Sequence, residues 1–321
     1  MAREHVNHSD IVRFAQEKVN LPKDKADVYR TQARGLRDKL ENYLSEHPDF
    51  TLKKMMLSGS LAKGTALRSL NDIDVACYIS GADAPKDVAA LLQYLAERLR
   101  KAYPNFSPDQ VKAQKYSVTV SFKGTGLDVD VVPILYNGDP QWRGNLVSQD
   151  DGSFLETSIP LHLDFTRKRK EAQETHFAQT VRLIKFWAQK MKRENQDFRF
   201  KSFMIEMILA HLSDKGLDFS DYPEALQHFF TYIATTDLRK RIVFEDYYKA
   251  TQVGSFNNPI QIIDPVNPKN NVALLYTAPQ ADAIVDAAMA AGDAIDAALA
   301  APTKGETVYY WQKVFGSTFQ I

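Results

Sequence analysis

The sequence predicts an α+β protein, with a mixed sheet and helices in its first half and a helical second half. Two observations carry this. Short apolar or alternating runs at residues 54–57, 72–79, 116–122 and 127–132 read as strands. After about residue 140 such runs give way to stretches with apolar residues at helical spacing, at 177–192, 201–215, 222–234, 282–300 and 308–315. The turn residues Gly138, Asp139 and Pro140 and the run 149–152 mark the change.

Each element has a local reason. Residues 24–43 place Tyr29, Ala33, Leu36, Leu40 and Tyr43 at helical spacing between charges. The apolar run 54–57 leads into Ser58, Gly59 and Ser60, with Ser60 placed to cap a short helix over 61–67. Residues 72–79 are mostly apolar after two acidic residues, the signature of a largely buried strand. An amphipathic helix is expected over 85–99, with Pro85 in its first turn. Residues 116–122 alternate strictly, Gly124-Thr125-Gly126 supplies a turn, and 127–132 alternates apolar with acidic residues and stops before Pro133. These two strands read as a hairpin. The Ala/Asp-rich run 281–301 reads as a close-packed helix. The change of pattern suggests two lobes, 1–150 and 151–321, with the active site in the cleft between them.

Composition narrows the function. The chain has 321 residues, 44% hydrophobic and 25% charged, ordinary values for a soluble globular protein. No stretch approaches the roughly 18–20 apolar residues of a membrane span, and the polar start resembles no signal peptide. The single cysteine, Cys77, excludes a disulfide framework and a Cys-rich zinc knuckle. The expectation is a cytoplasmic protein without membrane contact. Lys plus Arg equals Asp plus Glu at 40 each, which argues against a polyanion-coating protein. Local basic clusters stand at 167–170, 190–193 and 239–241. They read first as solvated helix faces, and second as a rim for phosphate or duplex DNA. His47, His162, His176, His211 and His228 show no metal spacing.

The chemistry concentrates in Ser58-Gly59-Ser60, followed by Asp72-Ile73-Asp74. Two residues apart on a strand, Asp72 and Asp74 project from one face. Their repulsion asks for a cation between them, and Mg²⁺ prefers a few carboxylates plus phosphate oxygens. Asp130 lies between Val129 and Val131 on a later strand and can add a third carboxylate; Asp128 shares its face and competes for that role. Three carboxylates from two strands can hold two ions, one acidifying an attacking hydroxyl and one neutralising triphosphate and leaving pyrophosphate. Gly59 permits close approach to phosphate. Lys63-Gly64-Thr65 has the wrong order for a Walker A loop. An isolated Asp-x-Asp would read as a solvated edge strand; the Gly-Ser before it and the acid on a second strand favour catalysis.

At these residues the sequence resembles the polymerase-β-like nucleotidyltransferase superfamily: Gly59-Ser60, Asp72-x-Asp74, then Asp130 before Val131-Val132-Pro133. The closer likeness is to the oligoadenylate synthetase and cyclic GMP–AMP synthase branch, specifically the bacterial CD-NTases of anti-phage CBASS systems. The resemblance implies a nucleotidyltransferase lobe with a helical oligoadenylate-synthetase-like second lobe, onto which the N-terminal helix wraps. Three later segments match. The helix around Lys185 implies a donor-triphosphate contact at that lysine. Lys201-Ser202-Phe203 implies a phosphate contact at Ser202 and a base stacking on Phe203, with Ser58 joining Gly59 and Ser60 on the nucleotide. The residues themselves allow a solvated helix lysine at 185 and ordinary packing at Phe203. Asp264, Asn270 and Asn271, in the Asp-Pro segment 262–272, read as loop-holding residues first. The animal synthases' zinc insertion has no counterpart here.

The resemblance implies an enzyme using ATP and two Mg²⁺ ions, with Mn²⁺ as a substitute, to make a cyclic oligonucleotide, cyclic tri-AMP first among them. Asp72 and Asp74 would bridge the ions and Asp130 would orient or deprotonate the acceptor hydroxyl. It also implies a HORMA-domain activator partner. Linear oligoadenylate or RNA 3′-end synthesis keeps the same site, and an inert nucleotidyltransferase-fold scaffold is the alternative of a different class.

Overall fold

The structure is a computed structural model that describes residues 5–46, 52–70, 72–80, 85, 87–147 and 153–321. Asn71, the loop signal at 149–152 and His47 lie outside them, as does the expected lobe boundary at 150/151. The chain divides into two compact units, Leu21–Asp164 and Met1–Asn20 with Phe165–Ile321.

The first unit is built on a seven-stranded sheet. Helix α1 (His8–Phe14) precedes it in sequence, and α2 (Lys23–Glu46) opens it. There follow β1 (Leu52–Leu57), α3 (Gly59–Lys63), β2 (Asp72–Ile79), α4 (Val88–Ala102), β3 (Val111–Ala113), β4 (Val118–Phe122), β5 (Leu127–Tyr136), β6 (Gly144–Val147) and β7 (Phe154–Thr157). The strand order is β1-β2-β5-β4-β3, with β6 paired to the far end of β5 and β7 to β6. Only β2 and β5 run parallel; the other pairs are antiparallel. The expected hairpin is β4–β5, closed at Phe122 and Leu127 by a turn with Gly126 at φ 66°.

One face of this sheet is the core. Ile73, Val75, Val118, Val120, Val129 and Val131 are each at most 2% exposed and pack with Leu36, Leu40, Leu92, Leu95 and Leu99 from α2 and α4. Each such side chain contributes about 1.5–3 kcal/mol when fully buried, so this face pins strand register. A one-residue slip would turn the valines out and the acids in.

Two expectations need correction. Strand β5 does not stop at Pro133 but runs through it to Tyr136. On that side β4 pairs only as far as Val131 and β6 begins at Ile134, so the missing proline N–H falls in a gap between partners. Helix α4 begins at Val88, not Pro85: the Asp87 side chain accepts from Ala90 N at 2.9 Å and caps it.

The second unit is helical. Helix α5 (Ile159–Ala172), most of it in this unit, was not anticipated. It is followed by α6 (His176–Glu194), α7 (Ser202–Asp214), α8 (Tyr222–Thr236), α9 (Ala278–Ala300) and α10 (Lys304–Phe315). Helix α9 buries Ala281, Ala288, Ala291, Ala294 and Ala298, and small residues let it sit close against α8 and α10. The α1 segment belongs to this unit. Phe14 meets Phe315 and Phe319 with ring centres 5.0 and 4.9 Å apart, and the Arg182 guanidinium donates to Asn20 Oδ1 at 2.9 Å. No helix among the described residues is long and apolar enough to cross a membrane.

The basic cluster 167–170 is not simply a solvated face. Arg169 is only 7% exposed, donates to Asp214 and Asp246 at 3.0 and 2.6 Å, and lies 3.8 Å from the centre of the Phe165 ring. Removing one partner of a buried ion pair costs about 3–5 kcal/mol, because the other charge is left unpaired. Arg169→Met is therefore expected to lower the unfolding free energy by about 3 kcal/mol in urea titrations followed by circular dichroism. An unchanged midpoint would contradict this.

Candidate active site

The parallel register of β2 and β5 aligns Asp72 with Asp128 and Asp74 with Asp130. The antiparallel register of β5 and β4 aligns Asp128 with Ser121 and Asp130 with Thr119. Partners on neighbouring strands share a face, so the sheet carries two polar rungs, Asp72–Asp128–Ser121 and Asp74–Asp130–Thr119. The opposite face of the same segments is the valine core. Farther along the polar side, Ala76, Tyr78 and Ile134 form a separate apolar cluster. The carboxylates are thus confined to one end of β2 and the start of β5.

Their charges are felt. The Asp72 carboxyl is held above the ordinary carboxylate range, first by desolvation, then by the charge of Asp130, with a smaller contribution from Asp128; a hydrogen bond with its own backbone opposes the shift. Asp128 is exposed, whereas Asp130 is half-buried and accepts a hydrogen bond from Thr119 Oγ1 at 2.5 Å. All-oxygen ligands under mutual repulsion suit a hard divalent cation. Among the described residues, no group of three or more His, Cys, Asp or Glu side chains is drawn together tightly enough to hold a metal ion by itself.

Gly59 lies against the acids. It turns the chain at φ 61°, and a Cβ there would collide with the Asp74 carboxylate, reaching within 2.8 Å of Cγ. No other residue suits both constraints. Ser58 is buried, and its N–H donates to the Asp74 carbonyl at 2.8 Å, tying the end of β1 to β2. The cap position differs from expectation. Because the turn is taken at Gly59, α3 spans Gly59–Lys63, its N-cap is Ser58, and Ser60 lies inside the helix. No side-chain hydrogen bond caps it, and Gly64 at φ 75° ends it after little more than one turn.

In the helical unit Lys185 and Ser202 line one cavity of about 220 Å³. Lys185, 8% exposed on α6, is no solvated helix lysine. Ser202 opens α7, where backbone N–H groups favour anions. Lys192, Arg199 and Lys201 line the same cavity and add to its positive field. Arg199 was not picked out from the sequence, although the Arg199-Phe200-Lys201 run before a helix is a usable signal. Phe203 is half-buried and outside the lining of that cavity. Asp264 and Asn271 hold their loop: Asp264 Oδ1 accepts from Val266 N at 2.8 Å, and Asn271 Oδ1 accepts from Ile262 N at 3.1 Å. Asn270 Nδ2 donates to Asp264 Oδ2 at 3.0 Å.

The Asp72 shift has a sign. A carboxyl raised in the folded state makes that state bind more protons than the unfolded chain, so stability falls as pH rises through the window above the ordinary aspartate value of about 3.9. Without divalent cations, Asp72→Asn is expected to melt above wild type at pH 7. The difference should vanish as pH falls below that window. A variant that melts below wild type at pH 7 would contradict the reading.

Comparison with known proteins gives the family and the fold. Residues 7–169 match the family model described as the Second Messenger Oligonucleotide or Dinucleotide Synthetase domain. The chain is 70% identical over 320 residues to the cyclic AMP-AMP-AMP synthase of Escherichia coli strain MS 115-1, covering 100% of both. The solved structure of E. coli MS115-1 CdnC with ATP superposes with a TM-score of 0.95 at 70% identity, covering 99% of this chain and 100% of that one. The CdnC:HORMA-deltaN complex from the same strain gives a TM-score of 0.94 at 68% identity, covering 100% of each chain. With its α+β nucleotidyltransferase fold and its carboxylates on adjacent strands, the chain belongs to the Second Messenger Oligonucleotide or Dinucleotide Synthetase family.

Proposed function

We propose that this chain makes cyclic tri-AMP from ATP, releasing pyrophosphate at each bond, as the signal-generating enzyme of an anti-phage CBASS system. One observation carries the catalytic part: Asp74 and Asp130 stand in register on adjacent strands, with Asp72 one rung away and the Gly59 turn against Asp74. The choice of ATP and of a cyclic trimer is supported by the 70% identical cyclic AMP-AMP-AMP synthase and by its ATP-bound structure.

Asp72, Asp74 and Asp130 would hold two Mg²⁺ ions. When bound, these supply charge neutralisation at the triphosphate and a lowered pKa for the acceptor hydroxyl. Asp130 orients that hydroxyl toward the α-phosphate of the donor and is placed to take its proton. Ser58, Gly59 and Ser60 bring backbone close to phosphate, which a side chain at 59 would prevent. Lys185 and Ser202 are the phosphate-binding pair of the helical unit, a buried cation beside a helix N-terminus. Phe203 is assigned to base stacking by family resemblance. A HORMA-domain protein is the proposed activating partner, supported by the complex solved for the 68% identical chain.

The test is incubation with the four labelled nucleoside triphosphates and Mg²⁺ or Mn²⁺, with and without a HORMA-domain partner and duplex DNA. Mass spectrometry follows phosphatase treatment. The expected product is a phosphatase-resistant ring of three AMP units, made only with the divalent ion and absent from the Asp72→Asn, Asp74→Asn double variant. Linear products that lose terminal phosphates would replace cyclisation by the linear alternative. Product from the double variant would remove the catalytic assignment.

A further inference from the structure

The Asp74–Asp130–Thr119 rung contains a side chain that the motif does not. Thr119 lies on β4 directly across from Asp130, and its Oγ1 is 2.5 Å from Asp130 Oδ1. An ionised carboxylate only accepts hydrogen bonds, so the hydroxyl is the donor. Asp128, two residues away on the same face, is exposed. Its cross-strand neighbour is Ser121. The two carboxylates therefore differ: Asp130 is half-buried and tied to Thr119, while Asp128 is exposed.

We propose that Thr119 is a positioning residue for nucleotidyl transfer, its hydroxyl fixing the Asp130 carboxylate so that Oδ2 is left for the divalent cation. This rests on the two-metal reading above. A charge-assisted bond to one oxygen restricts the side-chain torsions and leaves the other oxygen as the ligand. Orientation of a metal-binding carboxylate by such an outer partner is worth about 10- to 100-fold in metal affinity or activity. The same tether accounts for the choice of Asp130 over Asp128. β-Branched Thr also suits an inner strand, so Thr119→Val removes the hydroxyl while keeping shape and strand propensity.

The experiment measures Mn²⁺ binding to the full chain by paramagnetic resonance of free Mn²⁺, which needs no turnover, for wild type, Thr119→Val, Thr119→Ser, Asp130→Asn, the Thr119→Val, Asp130→Asn double variant, and the Asp72→Asn, Asp74→Asn double variant. The divalent concentration at half-maximal pyrophosphate release is measured alongside. The expected result is about a tenfold loss of Mn²⁺ affinity in Thr119→Val, with recovery to within about threefold of wild type in Thr119→Ser. Thr119→Val should add nothing once Asp130 is Asn, since the bond acts only through that carboxylate. Wild-type affinity in Thr119→Val, together with loss in the Asp72→Asn, Asp74→Asn variant, overturns the role of Thr119 and leaves the metal reading standing. Equal loss in the Val and Ser variants also overturns it, because packing rather than the hydroxyl would then be responsible. Wild-type affinity in the Asp72→Asn, Asp74→Asn variant overturns the metal reading itself.

Discussion

The sheet unit depends on a repulsion that its own register enforces. Parallel pairing of β2 with β5 sets Asp74 beside Asp130 and Asp72 beside Asp128, so four carboxylates occupy two adjacent rungs. The strands could relieve that tension by slipping one residue. They cannot do so cheaply, because Ile73, Val75, Val129 and Val131 hold the opposite face against α2 and α4. Hydrophobic burial on one side thus supports electrostatic strain on the other. The Asp72 carboxyl is raised first by desolvation and then by the Asp130 charge, so the repulsion adds to the effect of burial.

The surroundings of the acids follow from the same constraint. A divalent cation would relieve the repulsion, and phosphate could approach it because the Gly59 turn keeps side-chain bulk away from Asp74. The Ser58 N–H bond to the Asp74 carbonyl fixes that turn to the strand it serves. Thr119 acts from the other side, on Asp130. In the helical unit the cations Lys185, Lys192, Arg199 and Lys201 gather around one cavity. The neutral overall charge therefore hides two local fields of opposite sign, acidic in one unit and basic in the other.

Much of this was legible in the sequence. Strand β2 stands at residues 72–79 as its apolar run required, and the β4–β5 hairpin closes at the Gly124–Gly126 turn. Period-two alternation was enough to put Asp72 with Asp74, and Asp128 with Asp130. What alternation cannot supply is register between strands, since that depends on long-range pairing. The alignment of Asp130 with Asp74, and the part of Thr119, were invisible for that reason. The starts of α3 and α4 were displaced because caps decide them locally: Asp87 caps α4 beyond Pro85, and the turn at Gly59 starts α3 ahead of Ser60. Helix α5 was not among the helices read from apolar spacing; its cluster 167–170 read as a solvated helix face, whereas Arg169 is buried against Asp214 and Asp246. The step to a cyclic product came from family resemblance, which the 70% identical relative supports across the full chain.

The central claim is that Asp72, Asp74 and Asp130, rather than Asp128, form the metal-binding face. The most direct measurement is anomalous diffraction from crystals of the protein grown with Mn²⁺ and a non-hydrolysable ATP analogue. The account predicts manganese peaks bonded to Asp72, Asp74 and Asp130 carboxylate oxygens and to phosphate, with Asp128 unligated. Manganese bound through Asp128 in place of Asp130, or away from β2 altogether, would contradict it.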